Sequence, residues 1–288
     1  GLYAFDAGTG EALWMRREGG QPPSDLAVAD GKLYVSFLTD HALRAFDAST
    51  GDLLWEAPGP TGAPTVVDGV VYAADNLNSL WAIDAQTGRK LWAAHSPGGY
   101  GFGLAVANGK VYVGGDEDDS PVFAYEASTG ALVWRTRTSG ENDSTPAVGN
   151  GMVYVGSDTF YAFAARTGRI RWSADTGGGE VASAAVANGV VYVGSSDSNV
   201  YSFDALTGEQ LWVASTQGAV TDSQATIVAN GVVYVGTGDD VEHAFDAVTG
   251  ERLWPYQTGG GVFKQSVVNG TLYVTSFDTH LYAFRLPS

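Results

Sequence analysis

The chain has 288 residues, and its 32 acidic against 15 basic side chains give a formal charge of −17 and a sequence pI near 4.3. A surface this acidic repels phosphate backbones and anionic lipid, which excludes nucleic acid as a partner, and no apolar run approaches the roughly 20 residues that span a bilayer. The lack of cysteine excludes a disulfide framework, a thiolate metal site and a cysteine nucleophile.

In chain order, the sequence opens with two short strands, Leu2 to Phe5 and Ala12 to Arg16, on either side of Asp6-Ala7-Gly8-Thr9-Gly10. A unit of 37 to 42 residues then recurs. Its clearest part, Ala-aromatic-Asp-Ala-x-Thr-Gly-x-x-Leu-Trp, ends at Trp14, Trp55, Trp92, Trp134, Trp172, Trp212 and Trp254. A second part, Gly-x-Val/Leu-Tyr-Val, recurs at Tyr34, Tyr72, Tyr112, Tyr154, Tyr192, Tyr234 and Tyr273. Each unit resolves into four segments of period-2 alternation, as in Ala184 to Ala187, Val190 to Val193, Val200 to Phe203 and Gln210 to Val213, and predicts four antiparallel strands.

Asn108-Gly109, Asn188-Gly189, Asn230-Gly231 and Asn269-Gly270 suit type I′ hairpins between first and second strands, because both central residues need positive φ. Asp-x-x-Thr-Gly predicts a tight turn between third and fourth strands, with Asp capping local N–H groups. The Trp after it sits at a fixed distance, placed to wedge between neighbouring blades and offer its indole N–H to a backbone carbonyl. The seven tryptophans are therefore read as structural docking residues and none of the repeated residues as catalytic. The expected fold is all-β: a seven-bladed β-propeller of four-stranded antiparallel blades, a single domain over 1–288. Residues 11–17 are expected to complete the last blade with 265–285; the alternative is an eight-bladed parent. The start at Gly1 without Met suggests a piece of a longer chain, with any tether outside it.

The stretch Ala45-Phe46-Asp47-Ala48-Ser49-Thr50-Gly51-Asp52-Leu53-Leu54-Trp55 resembles the tryptophan-docking motif of quinoprotein alcohol dehydrogenases and the wider PQQ-like repeat superfamily. That superfamily includes BamB-like envelope assembly scaffolds and extracellular sensor regions of actinobacterial Ser/Thr kinases. The resemblance covers essentially the whole chain and specifies packing, not chemistry. It implies an extracytoplasmic module, extracellular or periplasmic. Arg outnumbers Lys eleven to four, the bias of a high-GC bacterial genome, and tilts the reading toward a non-catalytic sensor or binding domain. The alternatives are a BamB-like scaffold and a PQQ- and Ca²⁺-dependent dehydrogenase. Against the enzyme stand the short chain, the missing cysteine pair that such dehydrogenases typically set against the quinone, and an acidic host for a tricarboxylate cofactor. No cofactor is expected, PQQ least of all, and Ca²⁺ is the one ion the carboxylates could hold.

Function is placed on the irregular loops. Tyr100, Phe102, Glu141, Asp143, Asp222, Gln224, Phe263 and Lys264 are the candidates for holding a small ligand, glycan or protein, with the chain a monomer. Asp116, Glu117, Asp118, Asp119, Asp239 and Asp240 are candidate Ca²⁺ ligands, since hard carboxylates suit that ion; their spacing fits no EF-hand, and a solvated rim that includes Glu242, Asp25, Asp158 and Asp197 is the plainer expectation. His41, His95, His243 and His280 are read as solvated loop residues, and Trp81 as a packing variant.

Overall fold

The computed structural model describes residues 1–17, 25–75, 79–95, 103–115, 120–140, 142, 144–177, 180–221 and 224–286. Every element among them is a β-strand. β1 (Leu2–Phe5) and β2 (Ala12–Arg16) form a two-stranded ribbon. Six four-stranded antiparallel sheets follow. The first holds β3 (Leu26–Ala29), β4 (Lys32–Phe37), β5 (Ala42–Asp47) and β6 (Leu53–Pro58), and the second β7 (Thr65–Val67), β8 (Val70–Ala74), β9 (Ser79–Asp84) and β10 (Lys90–His95). The third holds β11 (Leu104–Ala107), β12 (Lys110–Gly114), β13 (Pro121–Glu126) and β14 (Leu132–Arg137), and the fourth β15 (Ala147–Gly149), β16 (Met152–Gly156), β17 (Phe160–Ala164) and β18 (Ile170–Ala174). The fifth holds β19 (Ala185–Ala187), β20 (Val190–Ser195), β21 (Asn199–Asp204) and β22 (Gln210–Ser215), and the sixth β23 (Thr226–Ala229), β24 (Val232–Gly236), β25 (Val241–Asp246) and β26 (Arg252–Gln257). A three-stranded sheet, β27 (Val262–Val268), β28 (Thr271–Ser276) and β29 (Leu281–Arg285), is the last. The sheets that carry a first strand number seven, as the repeat requires, and the fold is that of a seven-bladed β-propeller. Segment 11–17 forms β2, whose pairing is with β1, Leu2 opposite Arg16 and Ala4 opposite Trp14.

The chain divides into two compact units, Gly1–Val113 with Ala124–Val133, and Gly114–Phe123 with Trp134–Ser288. In the first, Tyr34, Leu43, Ala45 and Trp55 of one sheet pack on Val71, Ile83 and Ala85 of the next. In the second, Tyr154, Phe160 and Ala162 pack on Val191, Val193 and Phe203, and the motif repeats with Tyr192 and Val200 against Val233 and Phe245.

The turns form as their residues dictate. Asn188 and Gly189 take φ of 51° and 79°, the two positive values of a type I′ hairpin. Asp204 Oδ1 accepts from the backbone N–H groups of Leu206 and Thr207 at 3.0 and 2.8 Å and from the Thr207 hydroxyl at 2.9 Å; these bonds hold its carboxyl below the usual range. Both turn types lie at the same edge of a blade, because Ala205 N–H donates to Gly189 C=O at 2.9 Å.

The tryptophans dock by hydrogen bonding. Nε1 of Trp14, Trp55 and Trp92 donates to the carbonyls of Ala48, Ala85 and Ala127, and Nε1 of Trp134, Trp172 and Trp212 to those of Ala165, Ala205 and Ala247, at 2.9 to 3.2 Å. The second-strand tyrosine joins the same carbonyl: Tyr34 reaches Ala85 at 3.2 Å, Tyr154 reaches Ala205 at 2.8 Å and Tyr192 reaches Ala247 at 3.1 Å. Tyr72 likewise reaches Ala127 at 3.2 Å, so the carbonyls of Ala85, Ala127, Ala205 and Ala247 are each clasped by two donors from the preceding blade. Burial of Tyr154 in this clasp pushes its hydroxyl pKa up to about 12. Trp254 packs on Tyr234 and Phe284, with ring centroids 6.1 and 5.6 Å away. Trp81 instead donates to Asp75 Oδ2 at 2.8 Å, with Lys90 over its ring at 4.6 Å.

Candidate functional site

Tyr100, Phe102, Asp116, Glu117, Asp118, Asp119, Glu141, Asp143 and Asp222 lie outside the described residues. The remaining candidates fall in the second unit, around the β24–β25 turn and the start of β27. Asp239 and Asp240 form the turn itself: the Asp240 carbonyl accepts from Thr258 N–H at 2.8 Å and from Thr258 Oγ1 at 2.7 Å, and both aspartate carbonyls accept from Gln257 Nε2. Gln224 is buried, its Oε1 accepting from Thr221 N–H and hydroxyl at 2.9 and 2.8 Å while Nε2 donates to Val262 C=O at 3.3 Å. Phe263 packs tilted against Phe277, with ring centroids 5.2 Å apart, and Lys264 Nζ lies 5.6 Å from the Phe263 ring centroid.

Other rim carboxylates are spent on the loops themselves. Asp197 Oδ2 accepts from the Tyr201 hydroxyl at 2.5 Å, and Tyr201 also donates to Thr176 C=O at 3.0 Å. Asp278 repeats the device with Tyr282 at 2.5 Å and Gly259 N–H at 2.9 Å; the Tyr282 bond leads the effects that lower its carboxyl pKa. An Asp followed four residues later by Tyr, visible at 197–201 and 278–282, is the sequence signal for this staple.

Two residues correct the sequence reading. Glu242 is not on the rim: it lies in β25, fully buried, at the repeat position filled by Leu43, Leu80, Val122, Phe160 and Val200 in other blades. Its Oε2 accepts from Gln265 Nε2 at 2.5 Å, while Glu242 Oε1 and Gln265 Oε1 have no partner. Burial, only partly offset by the Gln265 bond, pushes Glu242 up to about 8, so the side chain is a neutral acid at pH 7. Gly236, opposite Glu242 on β24, makes the room: a side chain there would strike Val262 and Gln265. His243 is likewise no solvated loop residue. It is buried on the other face of β25, stacked on Phe245 at 5.9 Å, and burial followed by the nearby Arg252 charge lowers it to about 4. Aligning the repeat column by column exposes Glu242, because an acid occupies an otherwise apolar position.

Among the described residues, no three His, Asp or Glu side chains gather as a metal would require. The polar atoms of the Gln224 side chain are committed to the chain. No helix among them is long and apolar enough to cross a membrane.

Residues 1–101 and 94–287 match the family described as outer membrane protein assembly factor BamB. The chain belongs to this family. BamB from Moraxella catarrhalis is similar in structure, with a TM-score of 0.78 and 22% identity over 96% of this chain and 89% of that one. Quinohemoprotein alcohol dehydrogenase from Comamonas testosteroni has a TM-score of 0.72 and 16% identity, over 94% of this chain but 67% of its own. The computationally designed protein Ika8 gives 0.67 and 17% identity over 92% and 96%. No curated protein matches the chain by sequence. The PQQ-like resemblance read from the docking motif is thereby borne out at the level of the family.

Proposed function

We propose that the chain is a non-catalytic, extracytoplasmic scaffold of the BamB kind, whose irregular loops hold an envelope protein. The observation that carries this reading is the family match along nearly the whole chain. The blade geometry supports it. Within each unit, blades are clasped to their neighbours through shared carbonyls, and the loop carboxylates Asp197 and Asp278 are tied by hydrogen bonds, so these loops offer a surface at little ordering cost on binding. The family match supports the scaffold over the sensor, because the Arg/Lys bias that favoured the sensor concerns the genome, whereas the match concerns the chain.

Site-specific photo-crosslinking from position 277 tests it, since Phe277 is 68% exposed in the β28–β29 loop. In the cell of origin, a discrete adduct with an outer-membrane protein is expected. Adducts confined to cytoplasmic proteins, or dye-linked alcohol oxidation by the purified chain with PQQ and Ca²⁺, would overturn the proposal.

A further inference from the structure

Two positions of the repeat that are apolar elsewhere are polar together in the second unit. Glu242 of β25 stands in the third-strand column of Leu43, Leu80, Val122, Phe160 and Val200. Gln265 of β27 stands in the first-strand column of Leu26 and Leu104: each of these three lies opposite the valine after the repeat tyrosine, Val274, Val35 and Val113 in turn. The two departures meet, because Gln265 Nε2 donates to Glu242 Oε2 at 2.5 Å. Gly236 faces Glu242 from β24 and Tyr256 faces it from β26. A Cβ at position 236 would lie 2.9 Å from Gln265 Nε2, so glycine is what lets the amide reach across.

One hydrogen bond leaves the pair incomplete. Glu242 Oε1 and Gln265 Oε1 are both buried without a partner, and both are acceptors in an ionised carboxylate and an amide. Neither atom is open to solvent, so water does not serve them. A carboxylate has nothing to offer Gln265 Oε1, whereas a carboxylic acid has its hydroxyl. One proton on Glu242 Oε1 therefore satisfies both oxygens at once and turns the contact into a ring of two parallel hydrogen bonds, with a donor and an acceptor on each side. Burial favours the same neutral form. The ring acts on the start of β27, which has a second tie in the bond from Gln224 Nε2 to Val262 C=O at 3.3 Å. Phe263 and Lys264, both exposed, lie between the two tied residues Val262 and Gln265.

We infer that Glu242 is held as a carboxylic acid in a cyclic pair with Gln265, its Oε1–H donating to Gln265 Oε1 while Gln265 Nε2–H donates to its Oε2, and that this pair fixes the start of β27 and so positions Phe263 and Lys264. Glu242 and Gln265 are positioning residues, and the groups they present at the surface are the aromatic ring and the ammonium between the two ties. A strand start fixed in this way meets a partner with its side chains already in place, which lowers the ordering cost of binding. The inference goes beyond the scaffold reading and stands without it, because it depends on the buried pair and not on the partner or the compartment.

Two measurements on the full chain test it. The infrared difference between wild type and Glu242→Gln at pH 7 reads the proton, and a protonated-carboxyl C=O band is expected in the wild type. Amide hydrogen exchange followed by mass spectrometry reads the position of the strand. Gln265→Leu leaves the acid without its partner and is expected to lower the protection of residues 259–268 at least about tenfold. Glu242→Gln closes the same ring as a pair of amides and is expected to keep that protection. Glu242→Leu with Gln265→Leu leaves no buried polar group and is expected to lose less than Gln265→Leu alone. A Gln265→Leu chain that fails to fold beside a folded double variant supports the pair in the same way. Absence of the band, protection untouched by Gln265→Leu, or a loss in Glu242→Gln as large as in Gln265→Leu overturns the inference, as do additive losses in the double variant. A photo-crosslinking failure at position 277 bears on the scaffold reading alone, so the two proposals fail separately.

Discussion

Gly208 and Gly189 offer a matched pair of perturbations that isolates what the tryptophan contact contributes. Their φ values are nearly equal, 75° and 79°, so an alanine at either meets the same backbone penalty, about 1 to 2 kcal/mol for a left-handed L-residue. Their surroundings differ. A Cβ on Gly189 meets nothing within 4 Å, while one on Gly208 would lie 2.6 Å from Trp172 Cδ2 and 2.7 Å from Cγ, inside the contact distance of the ring. The ring is held on both sides, by its bond to Ala205 and by Tyr154 at 5.9 Å and Phe203 at 5.8 Å, so it cannot retreat freely. Overpacking of this kind costs about 1 to 3 kcal/mol. Gly208→Ala is therefore expected to destabilise the chain by about 2 to 5 kcal/mol, the sum of the backbone and overpacking costs, and Gly189→Ala by the backbone share only. Urea unfolding with midpoint and slope fitted together reads the difference. The cycle with Trp172→Ala completes the test: without the ring, the two glycine substitutions should cost the same. Equal costs in the wild-type background, or a gap that persists after Trp172→Ala, would refute the claim that this glycine is required by the neighbouring blade's indole as well as by its own φ.

Removing the indole by Trp172→Ala should itself cost about 3 to 5 kcal/mol in the same assay, and a loss below about 1 kcal/mol would contradict docking. Tyr154→Phe and Trp172→Phe should each cost about 0.5 to 1.5 kcal/mol, and the double variant more than their sum, because only then does the Ala205 carbonyl lose both donors. The pH dependence of stability separates Glu242 from His243. Glu242, raised when folded, contributes stability that is complete below about 4.5 and declines as pH rises toward about 8; His243, lowered when folded, contributes stability above about 6.5 that is lost as pH falls toward about 4. The two slopes oppose each other between about 4.5 and 6.5 and leave Glu242 alone above that, falling by up to about 1.4 kcal/mol per pH unit. Glu242→Gln should abolish the decline between pH 6.5 and 8 relative to wild type in urea melts, and an unchanged profile would refute a buried neutral acid. Thermal unfolding with Ca²⁺, and with PQQ plus Ca²⁺, should show no shift; a rise with Ca²⁺ that Asp118→Asn with Asp119→Asn removes would assign the acidic loop to the metal.

The blade architecture was legible because it is written in local chemistry repeated seven times. Asn-Gly demands two positive φ values, Asp-x-x-Thr-Gly caps its own turn, and Trp follows at a constant step, so each blade's strands and turns follow without knowledge of the others. The clasp was legible only by half. A tryptophan that seeks a carbonyl can be inferred from one repeat, but that Tyr154 shares the carbonyl of Ala205 with Trp172, or that Trp172 lies on Gly208, joins residues about a blade or more apart. Glu242 was misplaced for a different reason: Asp239-Asp240-Val241-Glu242 reads as one acidic run, and hydrophilicity outweighed the alternation that puts Glu242 in line with Ala244 inside β25. His243 followed it into the wrong class. The loop candidates were the least legible, since carboxylates that cap turns and carboxylates that bind ligands have the same composition, and only bonds such as Asp197 to Tyr201 tell them apart.

The same bonds explain how a chain of this family can vary its loops without losing its scaffold. Within a blade, the repeated residues all act at one edge: Gly189 C=O receives Ala205 N–H, Asp204 caps the turn that ends in Gly208, and Ala205 C=O takes the two donors from the blade before. The opposite edge holds His280, the Asp278–Tyr282 staple and the Asp239-Asp240 turn, each bonded within its own loop or to an adjacent one. Substitutions at that edge therefore leave the clasp intact, and the stability they cost is local.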